Sequence, residues 1–91
     1  MSSASYVLYI LRCKDGSLYT GITNSLERRM NLHTGGRGSK YVAARLPFEL
    51  VYVEGPFGSK GDALRREFAV KSLSRKAKET LLSKGGEVLL P

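Results

Sequence analysis

The chain is short of the groups that build metal clusters and disulfides: it has one cysteine and one histidine in 91 residues. A single thiol closes no internal disulfide, and one Cys with one His falls short of the roughly four ligands of a structural zinc site. Cys13 lies in an apolar run and reads as a small core residue. No apolar stretch approaches the roughly 20 residues a membrane helix needs, and the opening residues MSSASYVLYILR lack a basic start and a small-residue cleavage site. An intracellular, cytoplasmic protein without a membrane partner is therefore expected. Repeats, linkers and low-complexity tracts are also missing, so one domain over residues 1–91 is expected. Acidic residues are few, 8 Asp+Glu against 15 Lys+Arg, for a net charge of +7. An excess of that size points first to nucleic acid. From Arg28 to Phe48 there is no acidic residue, while Arg28, Arg29, Arg37, Lys40 and Arg45 are all cationic.

What is present reads as alternating short elements. YVLYILRC (6–13) is apolar and β-branched and predicts a buried strand; LYTGI (18–22) predicts a second. Lys14-Asp15-Gly16 between them suits a three-residue hairpin loop with Gly16 in the left-handed position. That loop makes Tyr9 face Gly21 and Leu11 face Tyr19, so both tyrosines share one face of the sheet. Asn24 with Glu27 predicts the cap of a first helix that Gly35 and Gly36 end. A short helix near 39–45 is stopped by Pro47. FELVYVEG (48–55) predicts a third strand. Ser59 with Asp62 caps a helix over 60–72, and Ser74 caps a last one ending near Gly85. The expected fold is α+β: a three-stranded antiparallel sheet flanked by four helices.

Two helices break their own apolar pattern. In the first, Arg29 and His33, four residues apart, fall inside the arc of Leu26, Met30 and Leu32, while Arg28 falls outside it. In the third, Glu67 and Lys71 fall inside the arc of Ala63, Leu64, Phe68 and Val70. A buried guanidinium stays charged and needs either a partner or a polar cleft. One reading is an Arg29–Glu67 ion pair locking two helices together. Desolvating both ions costs several kcal/mol, about as much as such a pair returns. The other reading is a reaction centre. Phosphodiester hydrolysis needs an activated water and charge neutralisation, and one carboxylate suffices for a divalent metal that keeps its waters. Tyr41 either stacks on a base or packs on the sheet. Glycines 35, 36 and 38 permit close approach to phosphate.

Val7-Leu8-Tyr9, then Tyr19-Thr20-Gly21, then Leu26-x-x-Arg29-x-x-x-His33, then Ala63-Leu64-x-x-Glu67 resemble the GIY-YIG nuclease domain, in particular its small stand-alone bacterial members, over about residues 5–83. The resemblance implies a catalytic set of Tyr9, Tyr19, Arg29, His33 and Glu67. In it Tyr19 activates water with Tyr9 in support, and Arg29 binds the scissile phosphate. His33 assists proton movement or holds Tyr19, and Glu67 is the ligand to Mg²⁺ or Mn²⁺. It implies a metal-dependent DNA endonuclease, with a binding module without turnover as the alternative; recognition of strand state, and so single-stranded or branched DNA, is expected from the basic surface, with RNA left open. Arg28, Arg37, Lys40, Tyr41, Arg45 and Lys71 are the expected nucleic-acid contacts. The chain departs from the family pattern in four places. Val7-Leu8 stands for Gly-Ile, Thr20 for Ile, Ile22 for a lysine seen in repair-type members, and no late asparagine is present.

Overall fold

The computed structural model of the chain describes residues 5–84. The N-terminal apolar runs form the hairpin β1 (Tyr6–Cys13) and β2 (Leu18–Thr23), paired with Tyr9 opposite Gly21 and Leu11 opposite Tyr19. The register is the one the three-residue loop predicts, and Gly16 has φ +85°. The chain continues through helices α1 (Leu26–Thr34) and α2 (Lys40–Ala43), strand β3 (Phe48–Phe57), and helices α3 (Lys60–Lys71) and α4 (Arg75–Ser83). The sheet is antiparallel in the order β2-β1-β3. The α+β class with three strands and four helices is thus as expected. Residue 85, where the last helix was expected to end, lies outside the described residues.

β1 is apolar on both faces because it is the central strand and is covered on both sides. Tyr9, Leu11 and Cys13 pack with Val53, with Leu26 and Met30 of α1 and with Val42 of α2. Leu8 and Ile10 pack on the other face with Tyr52, with Val70 of α3 and with Leu81 and Leu82 of α4. The helices therefore form two outer layers around the sheet.

Three local expectations are corrected. The residue at the N-cap of α1 is Ser25, whose side chain makes no cap bond. Thr23 organises that entry instead, its Oγ1 accepting from Ser25 N at 3.0 Å and donating to Ser25 O at 3.2 Å. Asn24 lies one residue too early to cap. β3 runs two residues past the expected end. It also does not alternate simply: Ile10 pairs with Tyr52 but Leu11 with Leu50, so Val51 is an extra residue in the ladder. That bulge returns Leu50 and Phe48 to the face of Val53, where strict alternation would have turned them to the opposite side. Finally, α3 does not bury the arc that its largest apolar residues suggest. Ala63 and Val70 are fully buried, whereas Leu64 is 45 % and Phe68 75 % exposed.

Candidate active site

The β1–β2 hairpin sets two tyrosines on the face covered by α1. Tyr9 lies against Gly21, across the strand pair: a Cβ on Gly21 would come within 2.6 Å of the Tyr9 hydroxyl and 2.7 Å of Cζ. Only glycine at that position lets the Tyr9 ring lie across β2. Tyr9 is 2 % exposed, and its hydroxyl is 2.9 Å from His33 Nε2. His33 is itself fully buried, as its place on the inward face of α1 predicts. Its ring makes edge-on contacts with Tyr9, Tyr19 and Phe48, at centroid distances of 5.7, 5.5 and 5.9 Å. The fourth side is closed by Gly38, where an added Cβ would lie 2.7 Å from both Cγ and Cε1 of the imidazole. Gly38 is therefore needed for packing against His33 rather than for approach to a phosphate.

The buried pair is neutral on both sides. Burial pushes the Tyr9 phenol well above its ordinary value. The neighbouring Tyr19 and Glu67 push the same way, and Arg29 opposes them. Burial and the Arg29 charge together hold the His33 imidazole below 6.5. His33 Nδ1 has no hydrogen-bond partner. A buried N–H without an acceptor is a rarer and costlier defect than an unused lone pair. The favoured tautomer therefore carries its proton on Nε2 and donates it to Tyr9 Oη. The Tyr9 proton is then left to point at a water or a substrate oxygen. Of the two expected roles of His33, proton movement and holding Tyr19, the second involves ring contact alone, since its hydrogen bond goes to Tyr9.

The charges of Arg29 and Glu67 both bear on the Tyr9 phenol, in opposite directions. Arg29 is half-buried, and no ion pair among the described residues involves it. The Arg29–Glu67 lock is not formed. Glu67, 18 % exposed, pairs instead with Lys71 one turn along α3 at 3.3 Å. Lys71 does not face inward: its side chain is 54 % exposed.

α3 carries few buried side chains, and a polar clamp beside Glu67 fixes it to the sheet. Arg66 grips the Glu54 carboxylate with two bonds, Nε to Oε2 at 2.7 Å and Nη2 to Oε1 at 3.1 Å. Tyr52 donates to the same carboxylate at 2.5 Å. Burial and the Glu54 carboxylate push the Tyr52 phenol up to about 12. No local pattern announces this clamp, because its members lie in two elements and only Tyr52 reads as core.

The candidate nucleic-acid contacts divide. Arg28, Arg37 and Lys40 are exposed and join no ion pair among the described residues. Arg45 is already committed. Its Nε donates to Asp15 at 3.0 Å and its Nη1 to Tyr41 O at 3.0 Å, and its guanidinium lies 3.8 Å from the Tyr41 ring centroid. Tyr41 stacks on Tyr19 with centroids 5.9 Å apart. Tyr41 thus covers one side of Tyr19 while remaining 37 % exposed itself, and Arg45 reaches solvent from within its contacts to Asp15 and Tyr41.

Among the described residues there is no cluster of three or more His, Cys, Asp or Glu. A cation held by protein ligands alone does not fit. A hard cation such as Mg²⁺ or Mn²⁺, keeping most of its shell as water and phosphate oxygen, fits the single half-buried carboxylate of Glu67.

Comparison with known proteins bears on the family and the fold. The GIY-YIG catalytic domain matches residues 5–80. A UPF0213 protein of Bacillus licheniformis is 48 % identical over 79 residues, spanning 87 % of this chain and 80 % of that protein. The solution structure of a UPF0213 protein from Bacillus halodurans aligns with a TM-score of 0.59 at 48 % identity, covering 92 % of this chain and 88 % of that one. The solution structure of an E. faecalis protein aligns with a TM-score of 0.61 at 39 % identity, covering 88 % and 84 %. These names state no activity, substrate or metal.

Proposed function

The chain belongs to the GIY-YIG catalytic-domain family, a nuclease family, and from that membership we propose that it is a divalent-metal-dependent endonuclease acting on single-stranded or branched DNA. The observation that carries the reading is the buried Tyr9–His33 pair with Arg29 and Glu67 both acting on its phenol. A purely structural tyrosine–histidine contact needs neither charge nearby.

In this reading Arg29 binds the scissile phosphate, since it carries a permanent charge and donors matched to phosphate oxygens. Tyr9 keeps its proton because burial raises its pKa, and it donates to a phosphate oxygen or to the attacking water. His33 holds the Tyr9 oxygen and fixes that direction. Tyr19, on the same face of the sheet, orients the water and, as the phenolate, takes its proton as the water oxygen attacks phosphorus; the bond to the sugar oxygen breaks and that oxygen takes a proton from solvent. Glu67 is the residue that would hold Mg²⁺ or Mn²⁺, releasing Lys71 to do so. When bound, the ion supplies Lewis-acid stabilisation of the phosphate charge and of the leaving oxygen. The exposed Arg28, Arg37 and Lys40 hold flanking phosphates. Recognition in this reading rests on strand state rather than on a long base sequence.

The Glu67–Lys71 pair favours a second reading, a nucleic-acid-binding module without turnover, because the carboxylate already has a partner. One experiment separates the two. Labelled single-stranded, duplex and branched DNA are incubated with Mg²⁺ or Mn²⁺ and wild-type, Glu67→Ala or Tyr19→Phe protein. The proposal expects cleavage by the wild type alone. Binding without cleavage under either metal supports the second reading, and cleavage that survives both substitutions refutes the assignment of the site.

A further inference from the structure

α3 exposes an apolar pair that the fold does not use. Ala63 and Val70 face the sheet and are fully buried. Leu64 and Phe68, one turn apart on the outer side, are 45 % and 75 % exposed. Lys60 lies one turn before Leu64, and Lys71 follows three residues after Phe68, so both extend the same stripe. Arg65, its side chain 75 % exposed, borders it. Glu67 sits at the near edge, where its carboxylate meets Lys71. The only acidic residues of α3, Asp62 and Glu67, are each paired along the helix, with Arg65 and Lys71. The outer face of α3 is thus an aromatic and an aliphatic side chain framed by three cations, starting at the candidate metal ligand.

We propose that this face is a second nucleic-acid contact surface, on which unpaired bases of the strand leaving Glu67 lie against Phe68 and Leu64 while Lys60 and Lys71 meet the flanking phosphates. The inference rests on the nuclease reading for the position of the strand. The charge argues for a polyanion, since three cations surround the apolar pair in a chain of net charge +7. The apolar pair argues for exposed bases, because aromatic rings stack on bases of any sequence once these are unpaired and find no such face in an intact duplex. A second copy of the chain fits poorly. A two-fold contact here would set Lys60, Arg65 and Lys71 close to their own counterparts. Two side chains also fall far short of the roughly 800 Å² per partner that stable interfaces bury.

The test is fluorescence anisotropy with a labelled oligothymidylate and a blunt duplex of equal length, in EDTA so that no cleavage intervenes. Phe68→Ala is expected to weaken single-strand binding about five- to hundredfold, the range that loss of one stacked base allows. Duplex binding should change less than about twofold, and Phe68→Tyr should keep wild-type affinity. Thermal melts of each variant guard against misfolding. Phe68 is mostly exposed, so the melting temperature should hold, and Leu64→Ser offers an independent variant with the same expected direction. Single-strand affinity unchanged in both Phe68→Ala and Leu64→Ser overturns the proposal. So does a wild-type dimer in sedimentation that Phe68→Ala makes monomeric, or wild-type protein that binds neither oligonucleotide. The nuclease reading fails separately: wild-type protein that binds single strands through Phe68 but cleaves nothing under Mg²⁺ or Mn²⁺ supports the surface and sinks the enzyme.

Discussion

Gly38→Ala is the smallest change that tests how the site is built. A methyl group there would overlap His33, lying 2.7 Å from two ring carbons where ordinary contacts begin near 3.4 Å. The ring has nowhere to go: Tyr9, Tyr19 and Phe48 close its other sides. Overpacking of this kind costs about 1–3 kcal/mol. A displaced imidazole also loses its bond to Tyr9, for about 1 kcal/mol more. Against this, alanine reduces the freedom of the unfolded chain and returns about 0.5–1 kcal/mol. The net expectation is a loss of about 2 kcal/mol, which in a domain of this size lowers the melting temperature by about 10 °C. Urea unfolding followed by circular dichroism measures it. The decisive comparison is a double-mutant cycle with His33→Ala, which empties the space the methyl would enter. There Gly38→Ala should cost almost nothing, leaving a coupling of about 2 kcal/mol. Gly61→Ala is the control. Its Cβ meets Arg65 and Ser59 at 3.7 Å, ordinary contact, so the same substitution should stabilise by about 0.5 kcal/mol. Equal costs for Gly38→Ala with and without His33 would refute the reasoning.

Four further outcomes follow from the same contacts. His33 binds its proton less readily folded than unfolded, so the unfolded chain takes up the extra proton as pH falls below 6.5. Stability should therefore drop from that pH downward, with a shallower slope in His33→Gln, as read from urea midpoints against pH. Tyr52 runs the opposite way. Its phenol, pushed up to about 12, stays protonated in the folded state while the unfolded one ionises near 10. Its contribution is complete below pH 10 and is lost as pH rises towards 12, and Tyr52→Phe should flatten that part of the alkaline unfolding curve. Arg66→Ala removes a two-bond grip on Glu54 that is about one-third exposed, and should cost about 1 kcal/mol in urea unfolding, with Arg66→Lys recovering only part because it lacks the fork. Finally, with Arg45 committed to Asp15, about five phosphate contacts from the remaining cations give a log–log salt slope near −3.5 on single strands. Arg28→Ala should make it shallower by about 0.7 while Arg45→Ala leaves it unchanged, both read by anisotropy titration over a range of salt.

The parts of this molecule that were legible in its sequence are those where one local rule had nothing to compete with it. The hairpin register followed from a glycine that must take positive φ and a side-chain period of two, and it alone sets Tyr9 against Gly21 and Tyr19 on the same face. In α1 the two polar residues on the apolar arc, Arg29 and His33, are the ones that face the body of the protein. The same reasoning failed in part in α3 because the arc over Ala63, Leu64, Phe68 and Val70 is wider than the face that meets the sheet. α3 packs closely on the sheet through Ala63 and Val70, and α4 fills the rest of that face with Leu81 and Leu82. The large side chains Leu64 and Phe68 are consequently turned outward, and Lys71 with them. Glu67 sits at the border between the two faces and stays half-buried. β3 failed for a different reason. The bulge at Val51 answers the demands of two layers at once, giving Tyr52 to the α3 side and Phe48 to His33, and no run of ten residues announces which of its members will be doubled. The His33 pocket is therefore half written in local pattern, through the hairpin and α1, and half in a long-range fit that Phe48 and Gly38 complete.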